Sequence, residues 1–412
     1  MVGVGVALTL IGLFAWRRGS RLSGSNRVLF LAALFLKLAG GLAFGAVYLL
    51  YYGKGDTFTY FGLAKTLRQV IVEDPVVGLQ LFFKSDVPEW RAFLAHDYVS
   101  DAQTYILIQI AALLLLVVGP SYWGLTLLLA ALSFACAWDL RMVLLRRYPS
   151  ADPHLSLVVL ALPGVVFWAS GLLKDTLAMA CMYLSLAGML QFANKNQSGV
   201  WRLLLGLPGL FLVRPYLFLA WAPFLFLSFE FDKAKNWRRL LPIAGLALIV
   251  TALQFTPFNL AFVLERAEAT RYYRLQDALV NHEDAMTYDT GTPQVEPLAE
   301  TWRFCKAWAA VYFRPAPSDA HKPIVWFGVF DMLLTVGYAA YLAFRIDWKA
   351  VLHQKPGLPL ALLLFSQIYG LFIGLSSSFF GSLVRYKIYA VAPMLLAFAL
   401  LPKKEKPPTS TN

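Results

Sequence analysis

"VLFLAALFLKLAGGLAFGAVYLLYY", residues 28–52, carries a single charge, Lys37. A helix needs about 20 apolar residues to cross the hydrocarbon core of a bilayer. This run is long enough, so it predicts a membrane span. The chain then continues as "GKGDTFTYFGLAKTL", residues 53–67. Asp56 falls within four residues of the exit. A carboxylate there is neither buried in lipid nor lost in bulk water, but sits at the level of lipid headgroups.

The rest of the chain repeats the first half of that pattern. Of 412 residues, 59% are hydrophobic and only 15% charged, against roughly 25% charged in an average soluble domain. Apolar runs predict membrane segments at roughly 2–16, 28–51, 120–140, 155–172, 176–193, 201–213, 216–229, 240–257, 324–344, 356–376 and 388–401. The expected fold is therefore all-α and polytopic, with about 11 membrane segments in one transmembrane domain over 1–412. A transmembrane β-barrel would show short alternating segments, and none is present. Residues 2–16 have the look of a signal h-region. They lack a basic n-region and a small-residue cleavage site, and read as a first span or a tucked helix. The three cysteines, Cys136, Cys181 and Cys305, have neither metal nor disulfide spacing.

The net charge of +12 does not point to nucleic acid, because the positive charge is confined to short loops, where it sets topology. Six short segments, 17–27, 141–154, 194–202, 230–239, 345–355 and 402–412, hold 19 Lys/Arg against 5 Asp/Glu. The long loops 52–102 and 258–323 hold 12 against 16. The positive-inside rule makes the short segments cytoplasmic, and parity puts the long loops outside. Residues 52–119 are then a first external loop with juxtamembrane helices, 258–323 a large external loop, and 402–412 a disordered cytoplasmic tail. An odd number of crossings must separate residues 102 and 141. The apolar run 103–119 is accordingly expected to lie along or dip into the outer leaflet, as interfacial helices do.

Four polar interruptions then share the external face. Asp56 reads as a base or substrate-positioning carboxylate; its bland alternative is a helix N-cap. Lys174 and Asp175 occupy the turn "SGLLKD", or simply form a neighbouring ion pair there. Arg214 interrupts "LLLGLPGLFLVRPYLFLAWAPFLFL". A guanidinium at the outer leaflet suits a phosphate oxyanion. Arg385, Tyr386 and Lys387 open the last span, as a second phosphate clamp or as ordinary interfacial anchors. Lys37 is expected to snorkel toward the inside, and Asp331 to pair with one of the arginines. Trp302, Trp308, Tyr312 and Phe313 are expected to lean on the membrane interface, and His282-Glu283-Asp284 to be a solvated turn.

In order and placement these pieces resemble the GT-C superfamily of membrane glycosyltransferases. The layout is similar to that of the dolichyl-phosphate-mannose protein mannosyltransferases and the bacterial aminoarabinose-to-lipid-A transferases. The resemblance covers roughly residues 28–240 and 376–401. It rests on "GDTFTYFGLA" with Asp56, Tyr60 and Ala64, the juxtamembrane run 103–119, and "RRYPSADPH". It rests also on Asp175 after "LPGVVFWASGLLK", Arg214 in "LVRPYLFLAWAP", and "RYKIYAVAPMLL" with Pro393. The family commonly has a second acid after the first aspartate; here Thr57 stands there, which leaves a possible divalent metal without its usual ligand pair.

The resemblance implies transfer from a polyprenyl-phosphate-linked sugar to a lipid or glycan acceptor, with inversion, on the periplasmic side of a bacterial inner membrane. Asp56 and Asp175 would be catalytic or acceptor-positioning; Tyr60, Lys174, Arg214, Arg385, Tyr386 and Lys387 would bind substrate. Membrane lipids are the other partners implied. One rival reading is a polysaccharide polymerase of the O-antigen or exopolysaccharide type. A second is a lipid or polysaccharide transporter, although transporters often show inverted repeats and midplane charges, and no repeat is visible here.

Overall fold

The computed structural model describes residues 2–233 apart from 54, 150 and 153, scattered positions between 265 and 291, and 296–404 apart from 355, 356 and 378. The expected span 240–257, much of the first part of loop 258–323 with His282-Glu283-Asp284, and residues 405–412 lie outside the described residues. Among those described, the chain is almost wholly helical, with isolated β-bridges but no strand. Backbone polar groups in lipid must be satisfied within their own segment, which helices achieve.

Among the described residues, seven helices are long and apolar enough to cross a membrane: Val2–Gly19, Gly24–Leu50, Tyr122–Arg147, Lys174–Ala193, Pro323–Phe344, Gly357–Ser376 and the Phe380–Leu400 stretch. They mark an integral helical membrane protein. Four shorter apolar helices accompany them: Ala102–Val118, Leu155–Trp168, Ser198–Val213 and Pro215–Phe226.

The chain divides into two compact units, Met1–Arg146 with Val159–Leu219, and Arg147–Val158 with Ala220–Asn412. The first is built on α1 (Val2–Gly19), α2 (Gly24–Leu50), α3 (Asp56–Glu73), α4 (Pro75–Phe82), α5 (Ala102–Val118) and α6 (Tyr122–Arg147). After α7 (Leu155–Leu160), most of which belongs to the second unit, come α8 (Pro163–Trp168), α9 (Lys174–Ala193) and α10 (Ser198–Val213).

Ring contacts give this unit its directions. Phe30, early in α2, packs on Phe134 and Trp138, late in α6, with centroids 5.2 and 4.9 Å apart. Gly41, late in α2, lies so close to α6 and to the segment before α9 that a Cβ there would sit 2.9 Å from the Ser170 carbonyl oxygen and 3.3 Å from Thr126. So α2 and α6 are antiparallel. Helices α9 and α10 form a second antiparallel pair, with Gly188 against Gly199 and Gly206 against Ser185.

Two ends result. One gathers the starts of α1, α6 and α9 and the ends of α2 and α10. The other gathers the basic residues Arg17, Arg18, Arg21, Arg27 and Arg141. Arg141 donates to Asn26 at 3.1 Å there, and Arg202 grips Asp139 with two bonds of 2.7 and 2.9 Å. Helix α5 does not run between these ends. Its first turn meets Lys174 at the start of α9, and its last residue, Val118, abuts Gly3 at the start of α1.

Lys37 departs from expectation. It does not snorkel: it is buried, and its Nζ donates to the Val165 carbonyl at 3.1 Å. The Val165 carbonyl also accepts from the Ala169 amide at 3.1 Å, and its second lone pair gives the buried Lys37 side chain an acceptor.

The second unit contains α11 (Pro215–Lys233) from Ala220 onward, α12 (Pro297–Phe313), α13 (Pro323–Phe344), α14 (Trp348–Gln354), α15 (Gly357–Ser376), α16 (Phe380–Tyr386) and α17 (Ile388–Leu400). Its core stacks Phe365 between Trp221 and Tyr369, at 4.9 and 5.4 Å. Trp302 and Phe313 are exposed on α12, as an interfacial role requires, but Tyr312 is buried. Its hydroxyl donates to the Ser366 carbonyl at 2.8 Å, because a phenol on the α15 side of α12 finds an acceptor there. Residues 402–404, expected to begin a disordered tail, instead pair with 345–347 through backbone bonds of 2.9 Å.

Candidate active site

Asp56 is the first residue of α3, and it is not the cap. Gly55 holds the N-cap position with φ +157, and a Cβ there would collide with the Tyr48 ring. Glycine adopts such a conformation without the steric cost other residues meet, so the chain passes from Leu50 at the end of α2 to Asp56 in a short turn. Its half-buried carboxylate makes one hydrogen bond among the described residues: the Tyr98 hydroxyl donates to Oδ1 at 2.7 Å. Burial, and then the neighbouring Asp56, push the Tyr98 phenol up to about 12. Tyr60 is buried, and its ring stands edge-on to Tyr98 at 5.2 Å. It therefore supports Tyr98 rather than lining open space.

Three residues after Tyr98, Asp101 caps α5. It accepts from the Thr104 amide at 3.0 Å and from the Thr104 hydroxyl. Lys174 reaches the same carboxylate at 3.3 Å and the Thr104 hydroxyl at 2.9 Å. Burial raises the Asp101 pKa, but Thr104 and the Lys174 ammonium outweigh it and leave the carboxyl below the ordinary value of 3.8. Lys174 thus pairs with Asp101, which is remote in sequence.

Asp175 is fully buried and bound by Arg214, Nη2 to Oδ1 at 2.6 Å. Local chemistry explains the pair. Pro215 drives the preceding residue out of the helical region, so α10 ends at Val213 and Arg214 adopts φ −148, ψ 79. The antiparallel packing of α9 and α10 sets that end beside the first turn of α9. A carboxylate is favoured at a helix N-terminus and a cation at a C-terminus.

Asp56, Lys174, Asp175 and Arg214 therefore share one end of the first unit, opposite the Arg202–Asp139 clasp. Arg385, Tyr386 and Lys387 belong to the second unit. There Arg385 lies over the Tyr386 ring at 5.8 Å, and buried Lys387 pairs with Asp331 at 3.1 Å. Asp331, expected to pair with an arginine, has Lys387 as a partner. With that pairing Lys387 is not an open phosphate contact.

Sequence reasoning passed over Tyr98 and Asp101. Asp101 had a signal, an acidic residue opening an apolar helical run. Tyr98 had none, since its partner lies 42 residues away.

The position after Asp56 bears on a metal. Thr57 is fully buried and shares a 3.0 Å hydrogen bond with the Tyr122 hydroxyl. Among the described residues no three His, Cys, Asp or Glu side chains gather as a ligand set. The residues around Asp56 do not form the paired-acid cradle a divalent cation takes, and no step below is routed through one. Comparison with known protein families, with curated proteins and with solved structures finds no match for this chain.

Proposed function

We propose that the protein is a glycosyltransferase of GT-C type with about 11 membrane segments, moving a sugar from a polyprenyl-phosphate donor to a lipid or glycan acceptor at the external face of a bacterial inner membrane. One observation carries the reading. A half-buried carboxylate with a fixed orientation, the buried Arg214–Asp175 pair and the more exposed Lys174–Asp101 pair share the end of the unit across which an apolar helix lies. Donor and acceptor of this kind react at headgroup level, where such an end would sit.

In the proposed reaction Asp56 takes the proton of the acceptor hydroxyl as its oxygen bonds to the anomeric carbon. The bond from that carbon to the phosphate oxygen breaks, and polyprenyl phosphate leaves with the electron pair. Attack opposite the leaving group inverts the anomeric centre. The Tyr98 hydrogen bond leaves the second Asp56 oxygen for the acceptor. Arg214, with Lys174 helping, stabilises the departing phosphate. The burial of Asp175 supports a task of holding Arg214 rather than touching the sugar. Lys387 with Asp331, and Tyr60 behind Tyr98, are likewise assigned to support.

The test is transfer by the full-length protein in proteoliposomes supplied with labelled polyprenyl-phosphate sugars. The reading requires release of polyprenyl phosphate; release of the diphosphate would indicate the polymerase. Full activity in both Asp56→Asn and Arg214→Gln would overturn the site.

A further inference from the structure

The second unit holds a cleft that the transfer reaction does not use. It forms where the end of α13 meets the end of α17, through the antiparallel bridge between Ile346 and Lys403. The cleft measures about 630 Å³, and Trp348, Lys349, Lys403 and Lys404 line it. Asp347, the one acidic residue among its described lining residues, is occupied: Oδ1 accepts from the Lys349 and Ala350 amides at 3.0 and 3.1 Å, capping α14. Lys403 is occupied too, its Nζ donating to the Phe398 carbonyl at 2.6 Å. Lys349 and Lys404 remain as exposed cations on the cleft.

The apolar neighbours say what sort of anion fits. Trp348 and Leu352, one turn apart on α14, are 51% and 77% exposed, and Phe344 at the end of α13 is 78% exposed. In water these three would be a liability. Beside a bilayer they are an interfacial anchor, with indole at headgroup depth and lysines reaching phosphate.

We infer that this cleft seats the phosphate headgroup of an anionic phospholipid, held by Lys349 and Lys404, with its acyl chains along Trp348, Leu352 and Phe344. The charge complementarity and the exposed apolar face together favour a lipid over a free phosphate ion.

The test uses full-length protein in detergent with mixed phosphatidylglycerol and phosphatidylcholine. Retained lipid is counted by native mass spectrometry. Quenching by brominated phosphatidylglycerol is read as the difference between wild type and Trp348→Phe. Wild type should retain phosphatidylglycerol preferentially, with Trp348 quenched. Lys349→Gln with Lys404→Gln should weaken retention by about five-fold per lysine, while melting and helical circular dichroism stay unchanged. Undiminished retention and quenching in the double variant would overturn the site. Displacement of the lipid by inorganic phosphate alone would overturn the lipid assignment.

Discussion

The Tyr98 hydroxyl lies 2.7 Å from Oδ1 of Asp56 and donates to it. The two residues come from different helical segments, and the bond fixes one carboxylate oxygen while Tyr60 backs the phenol ring. On the proposed mechanism Asp56→Asn should lower kcat by about 10²–10⁴-fold, the usual contribution of a general base. The melting temperature should hardly change. Transfer kinetics with a parallel thermal melt check this.

Tyr98→Phe removes a hydrogen bond to a charged group, an interaction of about 1.5–3 kcal/mol. It keeps the ring packing on Tyr60. The expected outcome is a lower kcat with KM little altered, because the carboxylate loses its orientation while the substrate contacts remain. A KM effect without a kcat effect would show that Tyr98 contacts substrate directly.

Arg214→Ala leaves the buried Asp175 carboxylate without its guanidinium. Breaking a buried pair on one side costs about 3–5 kcal/mol, so the variant should melt well below wild type. Asp175→Asn combined with Arg214→Ala removes both charges and should recover much of that loss. A double-mutant cycle by thermal unfolding in detergent measures the coupling.

The Lys174–Asp101 clasp predicts acid sensitivity. The Asp101 pKa in the folded chain lies below its ordinary 3.8, so the folded state binds the proton less readily than the unfolded chain. Its stabilisation is complete above about pH 4 and is lost as pH falls through the folded value. Wild type should therefore lose stability on acidification below pH 4 more steeply than Asp101→Asn. Melting curves of both proteins across that range test the sign.

Arg202 and Asp139 make a two-pronged clasp at the opposite end of the first unit. Lysine lacks the planar fork that makes both bonds. Arg202→Lys should cost about 1 kcal/mol and leave transfer kinetics unchanged, since it touches nothing at the candidate site. A change in kcat would show that the two ends are coupled.

Much of the helical layout was legible in the sequence. Length and composition of the apolar runs anticipated Val2–Gly19, Gly24–Leu50, Lys174–Ala193 and Pro323–Phe344 closely, because bilayer thickness and backbone satisfaction leave few alternatives. Pro215 marked the break at Arg214 for a purely local reason. The site was legible only in part. Asp56, Lys174, Asp175 and Arg214 stood out as charges in apolar surroundings, but not their partners. Tyr98 sat unnoticed in a polar loop, Lys174 reached Asp101 73 residues away, and Lys37 reached a carbonyl 128 residues away.

By itself, then, the sequence determined that this is a helical membrane protein whose unusual charges cluster near helix ends. Hydrophobic length and the conformational limits of proline act within a few turns of chain, and they need no knowledge of the fold. Only the tertiary structure decided which charge holds which, that α5 keeps both its ends at one end of the first unit, and that Asp175 is sealed behind Arg214. Those outcomes depend on distances between segments remote in sequence, and a buried charge takes whichever partner the packing brings within hydrogen-bonding reach.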